Sequence, residues 1–407
     1  MREYMIFLFI MLTDASVSYA QVKSENQRFH DVDAHVSQVN KQAVFHPQLL
    51  AKLLSDNFSN DYDKVRAFYV WIAKNIDYDL WAFIHDRKDG QGINEVLRSG
   101  KALCSGYSLL FDYFCEQANI QSEIIEGYAK GLGYEKKQKF NTSNHAWNAV
   151  NIYGKWYLLD VTWAAGNPQY LSKHEKKIDL DTWFLADPEK FVKTHLPEDP
   201  SWQLLDNKIS LSVFEDEDNS TIHNWNFNAF SPEDYAGLDE YDRDILVYKR
   251  AFKFNPKNVM LAERLSFAYI YKGISTTDEL WKMDYTSLSE TADSLERYVN
   301  AYMDSAWQII EPIDNAKISP TKNNILEEII YQKGVINYEL GVELFLKAMQ
   351  ATLPLAEFNH QTEKYFISAE GHFEGVPTTS IYYKDAYEYV RQIQDFRHRK
   401  TDRFIRD

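Results

Sequence analysis

The 407-residue chain has only two cysteines, Cys104 and Cys115, which leaves no room for a disulfide framework. It also has just 15 glycines and 11 prolines, which excludes collagen-like and low-complexity organisation. Positive charge is in deficit: 44 Lys and Arg stand against 60 Asp and Glu, a net charge of −16. A phosphate backbone demands the opposite sign, so nucleic acid is not an expected partner. No segment beyond the N-terminus approaches the ~20 apolar residues of a membrane span. HExxH, CxxC and phosphate-loop patterns are missing too, and with them any expectation of a metal or cofactor. What the chain does carry is aromatic mass, 27 Tyr, 24 Phe and 10 Trp, within an apolar fraction of 45%. Composition and length together predict a globular protein with two separate cores.

At the N-terminus, Arg2 precedes the apolar run Tyr4 to Leu12, and Ser18-Tyr19-Ala20 offers a small-residue exit. The pattern resembles a cleavable secretory signal cut after Ala20, so the mature chain is expected to be secreted or periplasmic. Such compartments favour disulfides. If Cys104 and Cys115 share one helix, however, eleven residues of ~1.5 Å rise set them ~16 Å apart, beyond the ~7 Å reach of a disulfide. Two thiols that cannot pair are either buried or used. Cys115 sits deep in an apolar stretch and reads as buried. Cys104 follows Gly100-Lys101-Ala102-Leu103 and opens a helix-compatible pattern. There, unpaired N–H groups and the positive end of the helix dipole favour a thiolate. It is the candidate nucleophile.

Periodicity places the other elements. A helix is expected around Gln48 to Phe58. From Asp63 onward, Val65, Phe68, Ile72 and Ile76 recur on one helical face, with an end near Asn75 to Asp79. A short helix over Ile93 to Arg98 precedes the cysteine helix, about Leu103 to Asn119. In that helix Leu103, Tyr107, Leu110 and Phe114 form one stripe, and Cys104, Ser108, Phe111 and Cys115 the next. The pattern then switches to alternation, and Ser122 to Lys130, His145 to Ile152 and Lys155 to Trp163 read as strands.

Tyr153-Gly154 joins the last two strands as a two-residue hairpin turn. That turn sets His145 opposite Thr162 and Trp147 opposite Asp160. Opposed residues share a face, so His145 and Asp160 lie diagonally, ~7–8 Å apart at Cα and within side-chain reach. A thiol nucleophile needs such a pair. The imidazole acts as base for the thiol and acid for the leaving group, and the carboxylate fixes the imidazole tautomer. Cys104, His145 and Asp160 are the candidate catalytic residues.

Several blocks then carry a resemblance: Gly106-Tyr107 after Cys104, Ile125-Glu126-Gly127-Tyr128, Asn144-His145-Ala146-Trp147-Asn148, and Trp156-Tyr157-Leu158-Leu159-Asp160-Val161-Thr162-Trp163. Together with the helix Arg66 to Ile72 that leads into Asn75 to Asp79, they resemble the transglutaminase-like superfamily, in its kyphoscoliosis-peptidase-like branch, over roughly residues 60–205. The resemblance implies an α+β, papain-like core, with a helical lobe carrying the cysteine and an antiparallel sheet carrying the histidine and aspartate. It implies a Cys104-His145-Asp160 triad working on a protein or peptide substrate through a thioester. For the oxyanion, the candidate donors are the backbone N–H of Cys104 and a side chain from Asn75 to Tyr78. Trp147 and Trp163 flank the triad, either as walls of a cleft or as core aromatics. A peptidase or amidase, a cross-linking acyltransferase, and a catalytically silent envelope scaffold on the same fold all stay open.

The resemblance fades after Leu205. We read residues 21–207 as the enzyme-like domain, 208–231 as an acidic linker around Glu215-Asp216-Glu217-Asp218, and 232–407 as a separate all-α domain. Tyr248 to Pro256, followed by an amphipathic run to Gly273, resembles a tetratricopeptide unit, and Tyr331 to Ala348 echoes it. Such a domain is expected either to bind a protein partner or to buttress its neighbour. The basic run from Arg391 reads as a solvated helix end.

Overall fold

Capping side chains set where several helices of the first half begin. The computed structural model describes residues 29–39, 41–166, 178–216, 230–277, 288–314, 321–351 and 355–404. The segment read as a signal lies outside them. The described chain divides into two units, one ending at Pro232 and the other beginning at Glu233. Among the described residues no helix is long and apolar enough to cross a membrane.

The first unit starts with α1 (residues 29–36) and α2 (Pro47–Ser55). In α3 (Asp61–Asn75) the Asn60 side chain caps the helix by accepting the Asp63 N–H at 3.0 Å. Every residue from Val65 to Ala73 is buried. The single apolar face expected for this helix is therefore replaced by burial all round, as befits an element at the centre of a core. Among these residues the charge of Arg66 is matched: its guanidinium bonds Asp33 at 3.0 Å and the Leu180 carbonyl at 2.7 Å, and lies against the rings of Phe29 and Phe184. Next come β1 (Asp77–Tyr78), α4 (Leu80–Ile84), α5 (Ile93–Ser99) and β2 (Lys101–Ala102), with β1 and β2 pairing in parallel. Helix α6 (Cys104–Gln117) follows, buried along both of its expected stripes from Tyr107 to Cys115.

Four strands complete the unit: β3 (Ser122–Ala129), β4 (His145–Ile152), β5 (Lys155–Leu159) and β6 (His195–Pro197), antiparallel in the order β5-β4-β3-β6. Tyr153 and Gly154 both take positive φ, 55° and 84°, which the two-residue turn requires. The hairpin register, from Ile152↔Lys155 to Asn148↔Leu159, is the one that turn dictates. Strand β5 is shorter than expected, ending at Leu159 rather than Trp163. The reason is Asp160, whose carboxylate accepts the Trp163 N–H and caps the short helix α7 (Val161–Ala164). Helix capping competes with the ladder and wins, so His145 and Thr162 do not pair. Helix α6 covers the face of β4 that carries Asn148, whose amide donates to the Ser108 carbonyl.

After α8 (Pro188–Phe191) and β6, the acidic stretch begins inside the folded unit. Helix α9 (Leu211–Asp216) places Glu215 where it accepts the Phe140 N–H at 2.7 Å, and Lys139 bridges Glu215 and Asp216. Glu217 and Asp218 lie outside the described residues.

The second unit is helical: α10 (Glu240–Phe254), α11 (Val259–Thr277), α12 (Leu288–Ile310), α13 (Thr321–Ala351), α14 (Leu355–Glu374) and α15 (Tyr383–Phe404). Tyr331 to Ala348 does not form a second helix pair; it is the interior of α13, where Gly334 and Gly341 receive the rings of Phe373 and Phe366. A Cβ at either glycine would sit 2.6–2.7 Å from its ring, so the two positions serve close helix packing rather than a turn. The basic run is partly tied down, with Arg397 bonded to Glu363 and Glu370 of α14.

Candidate active site

Cys104 is the first residue of α6, and no side chain caps that helix from Leu103. The preceding backbone is held from outside: the Leu103 N–H donates to Gln91 Oε1 at 2.7 Å. Gly106 makes room for that contact, because a Cβ there would lie 2.6 Å from the same oxygen. Tyr107 ties the turn to the end of α3 by donating its hydroxyl to the Ile76 carbonyl at 2.8 Å. The Cys-Ser-Gly-Tyr sequence is therefore a local device that points one thiol out of a packed helix start.

Both partners expected from sequence are brought to that thiol. His145 opens β4 and its side chain is hydrogen-bonded to Cys104, while the Ala146 backbone also meets the sulfur. On its other side, His145 Nε2 lies 2.7 Å from Asp160 Oδ2. Asp160 is the first residue after β5, so the parity of the hairpin still places it on the His145 face although the strand has ended. Its Oδ1 accepts the Trp163 N–H at 2.9 Å.

The electrostatics follow from this geometry. Burial resists charge on all three groups, and their mutual contacts outweigh it. Asp160 is held well below the usual carboxylate range by the charge and N–H of His145 and the N–H of His195. Burial alone would lower the His145 pKa, but the Asp160 carboxylate raises it to about 10. The hydrogen bond and charge of His145 then pull the Cys104 thiol below its ordinary value against its own burial. Cys115 has no such neighbour, and burial pushes its thiol well up. The two thiols are thus shifted in opposite directions.

The segment Asn75 to Tyr78 contributes one residue to this centre. The Asn75 amide is spent on the Trp71 carbonyl. Tyr78 pairs with Ala102 across β1 and β2, and its phenol is raised by burial first and then by the nearby charge of Cys104. Trp147 and Trp163 are buried packing rings around His145, with centroids 6.0 and 5.9 Å from it.

Sequence reasoning missed His195. It lies on the edge strand β6, and its Nε2 is 3.0 Å from the same Asp160 Oδ2. The signal available was an imidazole set among Phe191, Val192, Leu196 and Pro197, which has to find a partner if it is buried. The ligand atoms of His145, Asp160 and His195 lie within 4.8 Å of one another, close enough to be weighed as a metal site. The 2.7 and 3.0 Å separations are those of hydrogen bonds, and the group reads as two N–H donors on one carboxylate oxygen.

Part of the chain is similar to known proteins. Residues 49–161 match the family model of the Transglutaminase-like superfamily. The human protein named kyphoscoliosis peptidase is 35% identical over 192 residues, 46% of this chain and 28% of that protein. Hillarin of Drosophila melanogaster is 30% identical over 213 residues, 49% of this chain and 26% of its own. The Lim and transglutaminase domain protein ltd-1 of Caenorhabditis elegans is 28% identical over 212 residues, 49% and 29% of the two chains. The matched stretch thus spans less than a third of each of these relatives.

Proposed function

Because residues 49–161 form a domain of the transglutaminase-like superfamily, we propose that the protein is a thiol enzyme of acyl transfer, acting on amide bonds of a protein substrate with Cys104 as nucleophile. One observation carries the reading: a thiol at a helix N-terminus is bonded to an imidazole whose far nitrogen meets a buried carboxylate. In this reading the Cys104 thiolate attacks the carbonyl carbon of an amide, and the electron pair moves onto oxygen. The donors assigned to that oxyanion are the Cys104 N–H and the hydroxyl of Tyr78, a ring close enough to feel the charge of the thiol. As the C–N bond breaks, His145 passes its proton to the departing amine, leaving a thioester. Water or a second amine then adds to the thioester while His145 takes a proton from it. Collapse releases the Cys104 thiolate with either an acid or a new amide.

Asp160 holds the His145 tautomer in which Nε2 carries a proton toward the carboxylate, which leaves Nδ1 for the thiol. Export belongs to the proposal as well, resting on the N-terminal pattern alone. Incubation with iodoacetamide at mildly acidic pH, followed by mass mapping, tests the nucleophile; labelling is expected at Cys104, and preferential modification of Cys115 would overturn the reading. A covalent acyl-enzyme trapped from an amide substrate and lost in Cys104→Ala separates an enzyme from a scaffold.

A further inference from the structure

His195 takes no part in the acyl-transfer steps, yet it is 1% exposed and bonded on both ring nitrogens. Its place is fixed twice over. Strand β6 pairs His195 with Ala129 of β3, and its ring stacks on Phe191 with centroids 4.2 Å apart and planes 21° from parallel. Trp163, Trp147 and Trp183 close around it at 4.3, 5.2 and 5.3 Å. Small residues on β3 open this face, since Gly127 and Ala129 lie between the bulky groups of β4 and β6.

The hydrogen bonds assign its protons. Asp160 Oδ2 meets His145 Nε2 at 2.7 Å and His195 Nε2 at 3.0 Å. An ionised carboxylate only accepts, so each Nε2 carries a proton. His195 Nδ1 lies 2.8 Å from the Thr194 hydroxyl, which is closer than the 3.3 Å from that hydroxyl to the Phe191 carbonyl. Burial keeps the ring neutral, so Nδ1 is left to accept the Thr194 O–H.

We propose that His195 is a positioning residue for the reaction read above, its Nε2–H pinning Asp160 Oδ2 at the point where that oxygen also receives the His145 proton. This role rests on Cys104 being the nucleophile and His145 its base. A carboxylate with one donor per oxygen has slack to rotate; a second donor on Oδ2 removes it and holds the anion in a place where water cannot. Charge agrees with geometry: burial lowers the His195 pKa to about 4, while His145 on the same oxygen is raised to about 10. One imidazole is thus kept as a neutral donor and the other as a cation. The other titratable groups facing the cluster are Cys104 and Tyr107 from α6, Tyr69 from α3 and Tyr78 from β1.

The test is the pH profile of Cys104 alkylation by iodoacetamide in the full chain, for wild type, His195→Leu and His195→Gln. In His195→Leu, Asp160 loses a donor, the imidazolium loses its fixed partner, and the acid limb is expected to move up by about one pH unit. That is about tenfold slower alkylation at a pH on the limb. His195→Gln keeps an N–H and is expected to stay within about threefold of wild type. A folded His195→Leu protein with an unmoved or lowered limb would overturn the role, as would a Gln variant as impaired as Leu, since packing alone changes stability and not this midpoint. If His195→Leu does not fold, Thr194→Val removes the hydroxyl that sets the tautomer, and there an unmoved limb overturns it. Wild-type protein that does not label at Cys104 in preference to Cys115 fails the nucleophile reading and this one with it. Normal wild-type labelling beside unshifted variants sinks His195 alone.

Discussion

Gly127→Ala is the sharpest single perturbation of this fold. A Cβ at Gly127 would lie 2.3 Å from the Leu196 carbonyl oxygen, 2.4 Å from Trp147 Cη2 and 2.9 Å from Pro197 Cα. Two of these are backbone atoms of β6, and the third is the end of a ring buried to 1% exposure, so nothing flexible is available to yield. Restoring ordinary contact near 3.4 Å needs about 1 Å of movement. A β3–β6 separation of about 4.8 Å would have to widen toward 6 Å, which breaks most of a three-residue ladder. Overpacking of this kind costs about 1–3 kcal/mol, and each ladder bond lost adds about 1 kcal/mol. The expected loss is about 3 kcal/mol, or a fall in Tm of about 6–12 °C for a unit of this size. Thermal unfolding followed by near-ultraviolet circular dichroism reads it, since the tryptophans around β6 report directly. A Tm within about 1 °C of wild type would show that β6 is not clamped against Gly127 and would refute the packing described here.

Further outcomes are expected. Tyr78→Phe should lower the rate of acyl-enzyme formation by about tenfold to a hundredfold, while leaving Cys104 alkylation unchanged, because an oxyanion donor acts on the carbonyl and not on the thiol. Stopped-flow acylation beside iodoacetamide labelling separates the two. Because the folded pKa of His195 lies near 4, below its ordinary 6.5, the unfolded chain binds that proton first. Stability should therefore fall as pH drops from about 6.5 to about 4, by up to about 3 kcal/mol, and His195→Gln should remove that component from urea denaturation curves. A variant as acid-sensitive as wild type would exclude this source.

Much of the site was legible because it rests on short-range rules. Cys104 at a helix mouth and the Tyr153-Gly154 turn needed only local pattern, and the turn then fixed the parity of His145 and Asp160 across the hairpin. What failed was competition that pattern cannot price. Asp160 reads equally as a strand residue or a helix cap, and the cap won because its second oxygen already had partners in His145 and His195. Val65 to Ala73 looked amphipathic because Arg66 interrupts the apolar positions. Its burial depends on Asp33 and Leu180, which are distant in sequence. His195 was invisible for the same reason. Its meaning lies in an oxygen 35 residues upstream, and no spacing rule connects an edge strand to a residue beyond the other side of its sheet.

The short edge strand has a consequence in time. Asp160 finds its first donor three residues on, at Trp163, and its next fifteen residues back, at His145. The last arrives only when β6, three residues long and paired on one side, is laid against β3. Edge elements with few pairings are the first to open and the last to close. On the role proposed for His195, a chain with β6 not yet docked carries a carboxylate that is not fully held and a thiol that is correspondingly quiet. Arming of the nucleophile is then the final event of folding rather than an early one. A newly made or partly opened copy is protected from reacting with whatever amide drifts past it.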